Sequence, residues 1–114
     1  MDDVTEIAAH KKYTYRIIWS EEDQEFVGLC AEFPSLSWLD PDHDNALRGI
    51  RLLVSECLED MARNKEKIPV PISTRPYSGK FIIRIPPQVH RNLALEAAES
   101  GISLNRIISA RLAQ

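Results

Sequence analysis

The three carboxylates of "DPDHD", residues 40–44, are the first candidates for chemistry in this chain. Asp40, Asp42 and Asp44 alternate as the leading ligands of a calcium-binding EF-hand loop do. Such a loop also needs Gly at its sixth position and Glu at its twelfth. Counted from Asp40, those places hold Asn45 and Arg51. The same stretch precedes a helical pattern, where Asp42 would be the N-cap and Asp44 would sit at the positive end of the helix dipole. Capping explains these residues better than a metal does. His10, His43 and His90 are scattered, with no Cys or acid at ligand spacing, and are expected on the surface. Cys30 and Cys57 fit no metal or redox spacing and lie in apolar patterns, so they read as reduced core thiols. Ser35, Ser37 and Ser55 have no paired base. No cofactor and no metal is expected.

A second candidate is "YSGKFIIRIPP", residues 77–87. Lys80, Ile82 and Arg84 alternate with Phe81, Ile83 and Ile85, as in a β-strand. Pro76 and Pro86-Pro87 box the strand in, and a helix over 87–100, a turn at Gly101 and a helix over 103–113 with Ser103 as N-cap are expected to follow. A lone strand cannot satisfy its own N–H and C=O groups. Nor can a module of about 35 residues, without metal or disulfide, bury enough apolar surface to fold alone. These two deficits argue for an obligate dimer. Two copies of residues 79–85 would pair antiparallel across a two-fold axis. Phe81, Ile83 and Ile85 would face a shared helical core, and Lys80, Ile82 and Arg84 would face solvent or a partner.

Several elements precede that module. Residues 1–12 are polar and expected to fray. "YTYRIIWS" (13–20) and "EFVGLCAEF" (25–33) alternate and are rich in aromatic and β-branched residues, so they read as a hairpin around the turn "EEDQ". A third short strand is expected around Leu36 to Leu39. Trp38 reads as core, whereas the direction of Trp19 is open. The period then changes: Ala46, Leu47, Ile50, Leu53, Val54, Cys57, Leu58 and Met61 step by three and four. They form one apolar stripe on a long helix. Asn64 reads as its C′ residue. "IPVPIS" (68–73) is extended, and its prolines restrict it to an edge strand or a covering segment. The expected organisation is β-β-β-α-β over residues 1–73, a linker over 74–78, and β-α-α over 79–114. The fold class is α+β.

The chain has 114 residues, with 44% hydrophobic and 27% charged, which places it among soluble globular proteins. No apolar run approaches a membrane span, and the acidic start lacks the apolar region of a secretory signal. A cytoplasmic location is expected. The net charge of −3 hides an asymmetry. Residues 1–73 hold 15 Asp/Glu and 8 Lys/Arg, a balance of −7. Residues 74–114 hold 2 Asp/Glu and 6 Lys/Arg, a balance of +4. Two modules of opposite charge suggest different partners.

Two resemblances sharpen this reading. "KFIIRIPPQVHRNLALEAAESGISLNRIISARL" resembles a ribbon-helix-helix domain of the Arc and MetJ type. The shared pattern is a short strand, Pro, helix, Gly turn and a Ser-x-Asn start to the last helix. The resemblance implies that paired strands enter the DNA major groove and that outward side chains touch base edges. Those positions are Lys80, Ile82 and Arg84. Arg84 could hold guanine bidentately, and Lys80 could reach guanine or phosphate. Ile82 departs from the polar middle reader of the family and could make only apolar contact, so modest specificity is implied. Ser103, Leu104 and Asn105 match the family's phosphate clamp at a helix N-terminus. The alternative is a ribbon-helix-helix used only to dimerise.

From Tyr13 to Leu112 the chain resembles the HicB antitoxins. The carrying stretches are "YRIIWSEEDQEFVGLCAEFPSLSWL", "ALRGIRLLVSECLEDMARNKEKIPVPIS" and "SGKFIIRIPPQVHRNLALEAA". That resemblance implies a truncated ribonuclease H-like N-terminal domain. It also implies a HicA-like partner: a small mRNA-cleaving toxin whose catalytic His the antitoxin covers, in a complex that represses its own operon. The balance of −7 suits a basic RNA-binding partner. Glu21, Glu22 and Asp23 are the toxin contacts suggested by charge. Nuclease activity of the chain itself is not expected, because the first strand offers Arg16 and no metal-binding carboxylate. The partners implied are the toxin, operator DNA and a second copy, as a dimer or a pair of dimers. The rival reading is a stand-alone regulator with an N-terminal sensing or oligomerising domain.

Overall fold

A computed structural model describes residues 9–114. The expected frayed start lies mostly outside the described residues, and its last four, Ala9–Lys12, form a turn of 3-10 helix. The chain divides into two compact units, Met1–Tyr77 and Ser78–Gln114.

The first unit is a three-stranded antiparallel sheet carrying one long helix. Strands β1 (Tyr15–Ser20), β2 (Glu25–Cys30) and β3 (Ser37–Asp40) lie in the order β1-β2-β3. The β1–β2 turn closes without the usual Asn-Gly. Gln24 takes the left-handed conformation at φ 55°, and its side-chain amide donates to the Glu21 carbonyl at 2.7 Å. Ser20 Oγ accepts from the Asp23 N–H at 3.2 Å.

Helix α1 (His43–Arg63) starts where the carboxylates predict. Asp42 accepts from the Asn45 N–H at 3.0 Å, and Asp40 accepts from the Asp42 N–H at 2.8 Å. Its C-terminus is one residue off the expected pattern. Asn64 is the C-cap, and the left-handed residue is Lys65, at φ 56°. The Lys65 and Glu66 N–H groups turn back to the Ala62 and Met61 carbonyls, the crossed pair that ends many helices.

The apolar stripe of α1 lies on the sheet. Ala46, Ile50, Val54 and Leu58 are fully buried, together with Tyr13, Cys30 and Phe33. Burial of each large aliphatic side chain contributes about 1.5–3 kcal/mol. Gly28 allows the close approach: a Cβ there would lie 2.7 Å from the Ala46 carbonyl oxygen and 2.9 Å from Ile50 Cγ2.

The strand expected over 68–73 does not form. Pro69 and Pro71 have no N–H to give a ladder, and the segment covers the core instead. Ile68 packs on the core cluster, Tyr13 Oη donates to the Pro69 carbonyl at 2.7 Å, and Ile72–Thr74 form a 3-10 turn. Glu32 secures this strap. Its carboxylate accepts from the N–H groups of Thr14 and Ile72, each at 2.9 Å. Arg75 Nε then donates to the Val70 carbonyl at 2.8 Å and Tyr77 Oη to the Ile72 carbonyl at 3.2 Å, both within the first unit.

The second unit is a helical pair. Helix α2 (Pro87–Ser100) has Pro87 in its first turn, where a missing N–H costs nothing. Gly101, at φ 67°, ends it. Ser103 caps helix α3 (Leu104–Leu112), accepting from the Arg106 N–H at 3.1 Å. Arg111 reaches back from α3 to Glu96 on α2 at 2.6 Å. Only Ala97 and Ile107 of this unit are buried among the hydrophobic residues. Residues 79–86 carry no regular secondary structure within the single chain.

Candidate functional site

Residues 80–85 project both of their faces into solvent. No backbone–backbone hydrogen bond involves them within the chain; at Lys80 the N–H donates to Ser78 Oγ at 3.1 Å and the carbonyl accepts from the same hydroxyl at 3.4 Å. Ile82 is 94% exposed and Phe81 73%. The alternation read from the sequence nevertheless sorts the side chains. Phe81, Ile83 and Ile85 line a groove of about 840 Å³ with Val89, Leu93 and Ile108 from the two helices. Ile82 and Arg84 take no part in that groove, whereas Lys80 is among its lining residues. The segment therefore has an apolar side toward the helices and a side carrying Ile82 and Arg84 away from them.

The start of α3 differs in one detail from a simple anion clamp. The Ser103 hydroxyl is already engaged with the Arg106 N–H. The donors left for an anion there are the first-turn N–H groups of Leu104 and Asn105. Both residues also touch the groove.

In the first unit, Glu21, Glu22 and Asp23 are exposed at the β1–β2 turn. Glu21 accepts from Trp19 Nε1 at 2.7 Å and from Gln24 Nε2 at 3.2 Å, and these bonds hold its carboxyl below the ordinary range. The two tryptophans are only half covered. Trp38 is 37% exposed and lies against Gly49 of α1, rather than deep in the core as the sequence suggests. Trp19 shares its face of the sheet, paired with Phe26 at 5.0 Å between ring centroids.

The other candidates are quiet. Burial pushes the Cys30 thiol up to about 11 and raises Cys57 as well, so neither is a ready nucleophile. His43 lies 3.5 Å from Asp44, His90 is exposed, and His10 is half-buried rather than on the surface. Among the described residues no group of three or more His, Cys, Asp or Glu side chains converges to hold a metal ion. Among the same residues no helix is long and apolar enough to cross a membrane.

Comparison with known proteins then gives one result. The model of the HicB family matches residues 63–112. The match runs from the last residue of α1 through the strap and the second unit to the end of α3, and it supports reading the chain as a HicB-like antitoxin of a toxin-antitoxin system. The three-stranded sheet lies outside it. No curated protein and no solved structure matches the chain.

Proposed function

We propose that the chain is an antitoxin that neutralises a HicA-like mRNA-cleaving toxin by covering it, and that it represses its own operon through a ribbon-helix-helix dimer. The chain acts by binding and not by catalysis. Residues 1–73 take the toxin. Residues 79–114 pair with a second copy and bind operator DNA with Lys80, Ile82 and Arg84 in the groove and the start of α3 on phosphate.

The observation that carries the dimer is the double deficit at residues 80–85. Their backbone makes no backbone–backbone hydrogen bond within the chain, and beside them an apolar groove stands open. A second copy remedies both at once: the strands supply each other's hydrogen bonds, and Phe81, Ile83 and Ile85 close over the helices. The family match over the same residues supports this assignment, and the charge of the first unit supports a cationic partner.

The test is co-expression of the full chain with the product of the reading frame beside its gene. A small basic protein that co-purifies, and that cleaves mRNA only when freed from the chain, is the expected result. Full operator repression by the chain with no such partner would favour a stand-alone regulator instead.

A further inference from the structure

The first unit leaves one face of its sheet open. Residues directly opposite in a ladder share a face. Tyr15–Cys30, Ile17–Gly28 and Gly28–Trp38 lie on the α1 side. On the other side, Ile18–Val27–Leu39 crosses the middle as an apolar row. Arg16–Leu29–Ser37 lies to one side of that row, and Ser20–Glu25 lies to the other, next to the β1–β2 turn. Ile18 and Leu39 are each 41% exposed. Among the described residues of this unit, α1 is the helix that packs on the sheet, and it takes the opposite side.

The charges of this open face are few and balanced. Arg16 is its cation and Glu25 its anion. Glu25 is opposite Ser20, four residues along β1 from Arg16, a separation of about 13 Å. The apolar row lies midway between them. Among the described residues neither Arg16 nor Glu25 forms an ion pair. A face with one charge of each sign on either side of an apolar centre is complementary to itself.

We infer that this face packs on the same face of a second copy, Arg16 of each copy pairing with Glu25 of the other. The two-fold axis lies along the Ile18–Val27–Leu39 row, between the faces, so the row packs on its own copy and the strands run antiparallel across the interface. Aligned sheets stack about 10 Å apart. Arg16 then stands over Ser20 of the second copy, with Glu25 about 5 Å to the side in the ladder. The alternative two-fold axis, along the strands, would lay one exposed turn of Glu21, Glu22 and Asp23 over the other, and like charges would repel. The antiparallel stack sends the two turns to opposite ends. Other occupants fit less well. Nucleic acid would find a single Arg, and a strongly charged protein would find no net charge to match. The face is small, about 14 by 20 Å for three short strands, short of the about 800 Å² per partner of a standard interface. One such contact holds weakly. A dimer closed by the second unit carries two, and two dimers joined through both make a closed set of four chains in which each contact strengthens the other. The pairing of faces does not depend on the antitoxin reading.

Sedimentation velocity of the full chain over a range of concentrations tests this. Wild type should associate beyond the dimer as the concentration rises. Arg16→Glu and Glu25→Arg should each weaken that association by about tenfold or more, since each brings like charges together. Mixed in equal amounts, the two variants should associate again, because each supplies the charge that the other lacks. A defect in folding would not be mended by mixing. Leu39→Ser, in the apolar row, should weaken association as well, and it decides alone if a reversed charge prevents folding. A wild-type dimer that Arg16→Glu splits into monomers keeps this face and removes the dimer assigned to residues 79–114. Assembly that neither reversed charge changes, or that mixing fails to restore, overturns the proposal.

Discussion

The indole of Trp38 rests so closely on Gly49 that a Cβ at Gly49 would overlap the ring. Gly28, opposite Trp38 in the ladder, makes a second close approach, to the backbone of α1. The helix thus sits on the sheet at two glycines, and what each one meets differs. An alanine at Gly28 would strike a carbonyl oxygen, which can move only with the helix. An alanine at Gly49 would strike a side chain that is 37% exposed, not backbone.

The two substitutions should therefore rank. Gly28→Ala should destabilise the first unit by about 1–3 kcal/mol, the usual cost of overpacking. Gly49→Ala lies inside a helix, where Ala is favoured over Gly by about 1 kcal/mol, and that gain offsets part of the clash. Urea denaturation of both variants checks this. A larger loss at Gly49 than at Gly28 would contradict it.

Glu32 predicts a pH dependence. Burial raises its pKa, but hydrogen bonds from the N–H groups of Ile72, Thr14 and Glu32 itself and from the Cys30 thiol together hold the carboxyl below 4.5, its ordinary value. A depressed folded pKa contributes stability above the unfolded value, and that contribution is lost as pH falls through the folded one. The gap in melting temperature between wild type and Glu32→Gln should be full near neutral pH and close as the pH drops below 4.5. A gap that widens in acid would refute the strap.

The dimer should depend on the groove. Ile83→Ala removes apolar surface that the second copy would cover, at a cost of about 1.5–3 kcal/mol per copy and incurred twice across a two-fold axis. Sedimentation equilibrium should show weaker association, with loss of helix signal on dilution. A variant that stays dimeric at the same concentrations would place the interface elsewhere.

Arg84→Ala should weaken operator binding by about 1–3 kcal/mol and leave the dimer intact. Ile82→Ala, on the same side, should change affinity far less, because its contact is apolar only. Mobility-shift titration separates the two. Equal effects, or none at Arg84, would remove the ribbon from the DNA interface.

Much of this was legible in the chain because the signals are local. Asp42, the three-four spacing from Ala46 to Met61, Pro87, Gly101 and Ser103 each act within one or two helical turns, so the helices start and end where those residues predict. Residues 68–73 read as an edge strand or a covering segment; the prolines deny the ladder locally, and a distant residue fixes the segment as a cover. Glu32, forty positions before Ile72, takes the N–H that a ladder would have used. The approach of the acidic turn to the acidic start of α1 was half visible. The turn at 21–23 stands out by charge, but nothing local joins it to Asp40, Asp42 and Asp44.

Local signals along the chain set the helices, the alternation of residues 80–85 and the split of charge between the two units. Caps, periodicity and composition act over a few residues and need no partner. Tertiary contacts set which face of the sheet α1 covers, that Trp38 rests on Gly49, and that Asp40, opposite Phe26, shares that covered face. Those facts depend on strand register and on where a helix can approach a glycine, and both are set by contacts between residues far apart in the chain.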